Sequence, residues 1–515
     1  MTYGVVETVA GRVCGVESDG VWSFLGLRYA APVSGRNRFR PPQPVAPWSG
    51  VVAADVASPI APQPQSGIGS YLPGDPMEQG DDCLSLNVWT PALEEKRLPV
   101  IVFLHGGAFL SGTGSGVLYR GTGFARRGVV LVTVNYRLGF LGFLAHPGLD
   151  ADGACLANRG LLDQLAALEW VERNISGFGG DASNITIIGE SAGAMSIADL
   201  FASGRLHTRV RRVVLESGAT CIARRAEAFS IAERFSKLLG LSEPALATLE
   251  AVPMAELLAA QDHIIDEFGG AEGMPFRPIV DGDVLLTHPD AAIAAGATAG
   301  LELLVGTNRD EFRLFTFAQP EAAKLDDRGL ARLVEGYLEA AGIGARPEAV
   351  IACYRGAREA GGLGVRARDL FEAIGTDLVF RVPTIRLLDA HRRAGGRAYS
   401  YRFDWESPFA QGALGACHAL ELPFVFGTLE NPIIGLFSGT GERAAAVSEE
   451  VQAAWAGFAT TGTPVLSGRD WPEYEPSQRI TKIIGGSEDF ISAPGEVERA
   501  FLDDVMPEYG GELVT

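Results

Sequence analysis

Two patterns of apolar residues alternate along the first half of the chain. Short runs rich in β-branched residues occupy positions 98–104, 129–135 and 184–189, which is typical of buried strands. Residues 158–175 carry leucine and valine at intervals of three and four, which predicts an amphipathic helix. Strands that alternate with helices predict an α/β protein with a mostly parallel sheet and helices on both of its faces.

Other segments add helices and loops to this sheet. Residues 222–262 and 320–372 have helical spacing, and we expect helical excursions over one end of the sheet. Residues 60–82 are rich in Pro, Gly, Gln and Ser, which is typical of a long surface loop. Since no repeat or low-complexity linker interrupts the chain, residues 1–515 are expected to form a single domain.

Composition and charge exclude several classes of partner. The formal charge of −20 argues against a nucleic-acid partner, which requires a basic face. No apolar run approaches the roughly 18 residues that cross a membrane, and no signal region is visible at the N-terminus. Six scattered cysteines without a C-x-x-C pair favour free thiols over a zinc or redox site. We therefore expect a cytoplasmic protein with no metal and no cofactor. The oligomeric state stays open.

Candidate chemistry appears where the strand at 184–189 ends. Residues 189–193, with the sequence Gly-Glu-Ser-Ala-Gly, match the G-x-S-x-G pattern that presents a nucleophilic serine on a tight turn. The pattern alone is weak, but a strand before it and a helix over 192–200 supply the required setting. An ordinary serine in a strand-to-helix turn is the alternative interpretation of Ser191. Residues 105–109, with the sequence His-Gly-Gly-Ala-Phe, follow another strand and match an oxyanion-binding loop.

These motifs and several other blocks resemble the type-B carboxylesterase/lipase family, which includes cholinesterases and, closest in character, bacterial para-nitrobenzyl esterases. The most specific block is Phe-Gly-Gly-Asp-Ala-Ser-Asn-Ile-Thr-Ile-Ile-Gly-Glu-Ser-Ala-Gly at 178–193. Similar blocks stand at 24–30, 38–44, 81–89, 134–139, 160–164, 276–282 and 455–459. The resemblance implies an α/β-hydrolase fold and a serine carboxylesterase that acts through an acyl-enzyme. It also implies that the main-chain N–H groups of Gly107, Ala108 and Ala192 form the oxyanion hole.

The general base is expected among the histidines that follow Ser191, because the order in this fold is serine, acid, histidine. His207 stands in an arginine-rich stretch, and His288 and His391 stand in segments that we expect at the surface. His418, in the block Gly-Ala-Cys-His, matches the family pattern and is the expected base. Activity should then rise with pH through about 6.5, the ordinary value for histidine.

The acid is expected at the end of the strand predicted at 303–305. Asp310 and Glu311 both follow it, and either carboxylate could hold an imidazolium. The resemblance favours Glu311 and keeps Asp310 as the alternative. It also aligns Glu190, Ser217 and Glu421 with residues that support the triad, although Ser217 and Glu421 could equally serve packing or capping. Beside the nucleophile in a desolvated pocket, Glu190 should have a raised pKa.

Substrate-binding residues are harder to place. Six apolar residues lie near the motifs and could line an apolar pocket, with burial in the core as the alternative for the aromatic ones: Phe109, Leu110, Met274, Phe276, Phe312 and Phe315. Such a pocket would favour small to medium acyl chains and aromatic esters. Cholinesterases bind a quaternary ammonium group through a cation–π contact with a tryptophan in the loop before the block at 81–89, and a disulfide closes that loop. Residues 60–82 contain no tryptophan and no cysteine, so choline specificity is not expected.

The resemblance further aligns Arg38 with Asp81 and Arg137 with Asp163 as buried ion pairs, and it shows Arg28 at a position where the family usually has proline. Two other functions compete with the esterase. An amidase or carbamate hydrolase could use the same triad. A non-catalytic binding protein is the third possibility, which the intact Ser191 disfavours.

Overall fold

A thirteen-stranded sheet crosses the computed structural model, which describes residues 2–64, 78–93, 96–150, 157–206, 209–268, 274–317 and 319–507. In chain order the strands are β1 Thr2–Thr8, β2 Gly11–Ser18, β3 Val21–Arg28, β4 Val51–Ala53, β5 Ser85–Thr90, β6 Leu98–Leu104, β7 Val130–Val134, β8 Gly180–Glu190, β9 Arg212–Glu216, β10 Glu302–Asn308, β11 Arg397–Phe403, β12 Ile480–Ile484 and β13 Phe490–Ser492. Their order is β1-β2-β3-β5-β7-β6-β8-β9-β10-β11-β12-β13, with β4 beside β2. The strands from β7 to β12 pair in parallel, whereas most pairs near the two edges are antiparallel.

Helices cover the sheet. They are α1 Thr122–Arg126, α2 Gly139–Phe143, α3 Arg159–Asn174, α4 Ala192–Leu200, α5 Arg225–Leu238, α6 Leu246–Ala251, α7 Met254–Phe268, α8 Pro289–Ala294, α9 Arg313–Phe317, α10 Asp327–Ala340, α11 Pro347–Ala360, α12 Ala367–Thr376, α13 Val382–Arg393, α14 Leu422–Phe426, α15 Pro432–Ser438, α16 Glu442–Thr461 and α17 Glu496–Val505. A π-helical turn, Asp377–Arg381, joins α12 to α13. The predicted α/β architecture is confirmed, including the helical excursions, which are α5 to α7 after β9 and α10 to α12 after β10.

The continuous apolar runs of the central strands reflect burial on both faces of the sheet. In β6, Val100 and Val102 pack into one hydrophobic cluster, while Ile101 and Phe103 pack into a second cluster. Successive side chains of a strand point to opposite faces, so a strand covered on both sides needs apolar residues at every position. The parallel strands end at the same edge, and that edge carries Ser191.

Part of the predicted surface loop and one cysteine lie outside the described ranges. Residues 65–77 of the expected loop lie outside them, as does Cys155, and the five described cysteines are all free.

Arg28, which replaces the usual proline, donates to Asp82 through Nε at 2.7 Å. None of the described helices combines the length and the hydropathy that a membrane span requires.

One of the two expected ion pairs is present. Arg137 and Asp163 are both completely buried, and Nη2 lies 2.7 Å from Oδ1. Arg38 instead donates to the carbonyl oxygens of Glu250 and Val252, and no Arg38–Asp81 pair exists among the described ion pairs. That expectation was wrong, because main-chain carbonyl groups at the C-terminal end of α6 bind Arg38 in place of the carboxylate.

Replacing Arg137 by methionine should lower the free energy of unfolding by about 3–5 kcal/mol, because the Asp163 carboxylate would be left buried without its partner. Denaturant unfolding measures this change. Arg173→Met is a matched control on a solvent-exposed pair with Glu169, and it should cost less than about 1 kcal/mol. Equal losses in the two variants would show that the buried pair does not contribute as expected.

Candidate active site

Ser191 occupies a strained turn between β8 and α4. Its φ is 53° and its ψ is −125°, a conformation that a non-glycine residue adopts only when its surroundings enforce it. A Cβ atom on Gly193 would lie 2.1 Å from the Leu104 carbonyl oxygen, and one on Gly189 would lie 2.4 Å from the Gly193 carbonyl carbon. The two glycines therefore allow the tight turn. The Ser191 N–H donates to the Glu216 carbonyl oxygen at 2.9 Å, which fixes the turn to β9.

The loop after β6 lies against this turn. A Cβ atom on Gly106 would lie 2.6 Å from Glu190 Oε2 and 2.8 Å from Ser191 Cβ. The loop is strained as well, with φ values of 56° at Ala108 and 61° at Phe109. No hydrogen bond of the described residues uses the N–H of Gly107 or Ala108, and Ala192 begins α4, where N–H groups lack partners within the helix. These N–H groups are available to an oxyanion.

His418 and Glu311 form a buried hydrogen bond. His418 Nδ1 lies 2.7 Å from Glu311 Oε2, and both side chains are almost fully buried. Glu311 Oε1 also accepts from Ser217 Oγ at 2.6 Å and from the Asn308 N–H at 2.7 Å. These three donors hold the buried Glu311 carboxylate in a fixed orientation.

Asp310, the alternative acid, points elsewhere. Its Oδ2 accepts from Arg309 Nη2 at 2.9 Å and from the Ala416 N–H at 3.0 Å. Burial alone would raise the pKa of Asp310, but Arg309 and Arg313 lower it below its ordinary value. The structure therefore brings Glu311, and not Asp310, to His418.

Glu190 lies on the other side of the imidazole. Its Oε1 is 3.2 Å from His418 Nε2, and burial raises the pKa of Glu190 to about 8, as the sequence predicted in direction. Burial lowers the pKa of His418, but Glu190 and Glu311 outweigh it and raise the value to about 9. No hydrogen bond joins Ser191 Oγ to His418 in the described residues. Catalytic hydrogen bonds are often long in unliganded enzymes and shorten when substrate binds.

Glu421 and Ser217 lie in the same region. Asn308 Nδ2 donates to Glu421 Oε2, and burial, reinforced by Glu311, raises the pKa of Glu421 to about 7. The Ser217 hydroxyl donates to Glu311. Sequence reasoning placed Ser217, Glu190 and Glu421 near the triad but missed Asn308, which stands in the same block as Glu311.

The six expected pocket residues divide between core and site. Phe109 and Phe276 are 0% and 1% exposed, with their rings against Phe143 and Phe235. They belong to the core, because packing excludes them from any surface that a substrate could reach. Leu110 is also mostly buried. Met274 lines a cavity of about 250 Å³ together with Met195 and Leu378.

Aromatic rings cover His418. The ring centroid of Phe315 is 5.2 Å from that of His418, and Phe380 lies closer, at 4.7 Å. Phe312 packs behind Phe315 at 5.3 Å. Sequence reasoning missed Phe380, which lies on the π-helical turn, because no motif surrounds it.

Two of the other candidate histidines do not lie at the surface as expected. His288 and His391 are buried, contrary to the surface location expected for both. His391 bridges Thr298 Oγ1 and the Arg397 carbonyl oxygen, and His288 accepts from the Asp290 N–H at the start of α8. Each has hydrogen-bond partners that compensate for its burial. His207 lies outside the described residues.

The sheet topology and a serine on a strand-to-helix turn define the α/β-hydrolase class. Within this class, the family model described as "Carboxylesterase family" matches residues 3–489, and the chain belongs to that family. It is a carboxylic ester hydrolase.

The relatives support this assignment over nearly the whole chain. The chain is 37% identical to the para-nitrobenzyl esterase of Bacillus subtilis (strain 168), over 94% of this chain and 95% of that protein. It is 35% identical to the fumonisin B1 esterase of Sphingopyxis macrogoltabida, over 96% and 89% of the two chains. A solved structure of a PNB esterase superimposes with a TM-score of 0.86 at 35% identity, covering 98% of this chain and 100% of the other.

Proposed function

We propose that this carboxylesterase cleaves small to medium esters with Ser191 as nucleophile, His418 as general base and Glu311 as the acid that orients it. The observation that carries the proposal is the buried His418–Glu311 hydrogen bond of 2.7 Å, next to a strained Ser191 turn. Glu311 holds the Nδ1–H tautomer, so that Nε2 is left to accept a proton.

The reaction follows from this arrangement. Nε2 of neutral His418 removes the Ser191 hydroxyl proton as Oγ attacks the ester carbonyl carbon. The carbonyl oxygen becomes an oxyanion, which accepts from the N–H groups of Gly107, Ala108 and Ala192. His418 then donates its proton to the leaving alkoxide, which departs as the alcohol. Water attacks the acyl-enzyme by the same route and releases the acid and free Ser191.

The activity should rise with pH through an apparent pKa above 6.5. Nearby carboxylates stabilise the imidazolium, so a higher pH is needed to form the neutral base. Glu190→Gln removes the negative charge nearest Nε2 and should lower the apparent pKa by at least about 1 unit. The measurement is kcat/KM from pH 5 to 10. Glu169→Gln, on the exposed Arg173 pair, should leave the profile unchanged, and an unshifted Glu190→Gln profile would contradict this electrostatic account.

The acyl preference should depend on Phe315. Burial of each acyl CH₂ contributes up to about 0.8 kcal/mol, until the acyl chain meets side chains that resist overpacking. We expect kcat/KM for para-nitrophenyl esters to rise from acetate to about hexanoate and to fall by palmitate. Phe315→Ala should move the maximum to longer chains. Phe317→Ala, on the exposed end of α9, should not.

A steady rise to palmitate would instead identify a lipase. Faster cleavage of the matched amide or carbamate would show that the enzyme is an amidase or a carbamate hydrolase.

We further propose that residues 1–515 form one domain. We also propose that the enzyme is of the bacterial type, acts in a reducing cytoplasm and has no nucleic-acid or membrane partner. The free thiols of the five described cysteines support the reducing compartment.

A further inference from the structure

A row of aligned residues crosses the sheet next to the nucleophile. Glu190 of β8 pairs in register with Glu216 of β9, Glu216 with Gly306 of β10, and Gly306 with Tyr401 of β11. Aligned residues of parallel strands project to the same face of the sheet. The side chains of Glu190, Glu216 and Tyr401 therefore share one face.

Glycine at position 306 leaves room for the ring of Tyr401 on this face of the sheet. A Cβ atom there would lie 2.4 Å from Cγ and Cδ1 of Tyr401, so the tyrosine ring covers Gly306 on the side of Glu216. Trp455 of α16 completes the group, since its ring centroid is 5.1 Å from that of Tyr401. Its Nε1–H donates to Glu216 Oε1 at 2.7 Å.

The charge balance of this region cannot support four anions. Glu190, Glu216, Glu311 and Glu421 are all buried, and none of them pairs with arginine or lysine among the described ion pairs; His418 is the nearby cation. Unpaired buried charges are costly, and such groups are neutralised by protonation instead.

Glu216 has the weakest support for a negative charge. Glu311 accepts three hydrogen bonds. Glu421 accepts one from Asn308, and the positive charge of His418 opposes the rise in pKa that burial causes in both Glu190 and Glu421. Glu216 also accepts one hydrogen bond, from Trp455, but His418 is not among the groups that shift the pKa of Glu216. Its Oε2 has no partner among the described residues, and neither has the Tyr401 hydroxyl. Burial raises the pKa of Glu216 well above its ordinary value, and Glu421 and Glu190 add to this effect. A negative charge on Glu216 would in turn raise the pKa of Tyr401 and of Tyr119.

Glu216 and the residue after it contact both the Ser191 turn and Glu311. The Glu216 carbonyl oxygen accepts from the Ser191 N–H at 2.9 Å. The next residue, Ser217, donates to Glu311. A shift of β9 at Glu216 would therefore move the nucleophile and the acid together.

We propose that Glu216 is a positioning residue that acts in its neutral, protonated form: it ties β9 to α16 through Trp455 and so fixes the Ser191 turn, without placing another negative charge near His418. This inference rests on Ser191 being the nucleophile. Neutrality matters, because a further charge there would stabilise the imidazolium and hinder its work as a base.

The pH profile separates this role from a charged one. Glu216→Gln replaces a neutral acid by a neutral amide, so kcat/KM at pH 8 should stay within about twofold of wild type, and the rising limb should stay within about 0.2 pH unit. An ionised Glu216 would instead behave as Glu190 does, and Glu216→Gln would lower the apparent pKa. A shift of about half a unit or more would overturn the proposal.

Positioning is tested by removing the hydrogen bond. Glu216→Leu and Trp455→Phe should each lower kcat by about tenfold with KM within about twofold, because a displaced nucleophile slows the chemical step. Trp471→Phe is the matched control, since that buried indole N–H has no partner among the described contacts, and its kcat should not change. If Glu216→Leu does not fold, the kcat of Trp455→Phe alone tests the positioning role.

Rates are normalised to the fraction of enzyme that reacts with a fluorophosphonate, which corrects for misfolded protein. A wild-type kcat in Trp455→Phe would also overturn the proposal. Failure of the proposed nucleophile is a separate outcome, because it would appear as persistent labelling of Ser191→Ala.

Discussion

Replacing Ser191 by alanine should lower kcat for a para-nitrophenyl ester by about 10⁵- to 10⁶-fold, with the fold intact. Without Oγ no acyl-enzyme can form, and only the oxyanion hole and substrate binding remain to accelerate attack by water. The loss is large because His418 and Glu311 act through the nucleophile and cannot replace it. Stopped assays at high enzyme concentration would measure the residual rate, with circular dichroism as the check on folding.

Ser183→Ala is the matched control, because Ser183 lies on the same strand, β8, but is hydrogen-bonded to Asp181 at the surface. It should keep wild-type activity and react with a fluorophosphonate, whereas Ser191→Ala should not react. If Ser191→Ala kept more than about 1% of wild-type turnover, the nucleophile assignment would be wrong.

Replacing Glu311 by glutamine should lower kcat by about 10⁴-fold. The amide keeps the size of the side chain but loses the charge that stabilises the imidazolium and holds the Nδ1–H tautomer. Its NH₂ group can also face Nδ1, which favours the wrong tautomer. KM should change little, because the acid acts on the base and not on the bound ester.

The neighbouring carboxylate supplies the control for this variant. Asp310→Asn is the same change one residue earlier, at a side chain that bonds Arg309 and the Ala416 N–H. It should keep kcat within about threefold of wild type. A larger loss in Asp310→Asn than in Glu311→Gln would reverse the assignment of the acid.

The local motifs could be predicted from the sequence because their chemistry depends on consecutive residues. The Ser191 turn needs glycines on both sides, and clash distances at Gly189 and Gly193 show why. The same holds for the loop at Gly107, where a Cβ atom would lie 2.0 Å from the Ser111 carbonyl oxygen. Buried strands were also readable, because burial on both faces demands continuous apolar runs.

Chemistry that depends on distant residues was decided by the tertiary structure. Asp310 and Glu311 are equivalent by composition, and only the side-chain directions bring Glu311 to His418. Phe380 reaches His418 from the π-helical turn, with no local signal.

The sequence alone also does not show whether an aromatic side chain lies in the hydrophobic core or next to the candidate site. Phe109 and Phe276 lie in the core, whereas Phe315 contacts His418. Similarly, Glu216 lies in no position that chain spacing singles out. Its place beside Glu190 and Tyr401 comes from the register of three neighbouring strand pairs. The sequence by itself thus determined the fold class and the local turns, because these follow from short-range sterics and burial patterns. The partners of each buried charge were decided by the packing of strands and helices far apart in the chain.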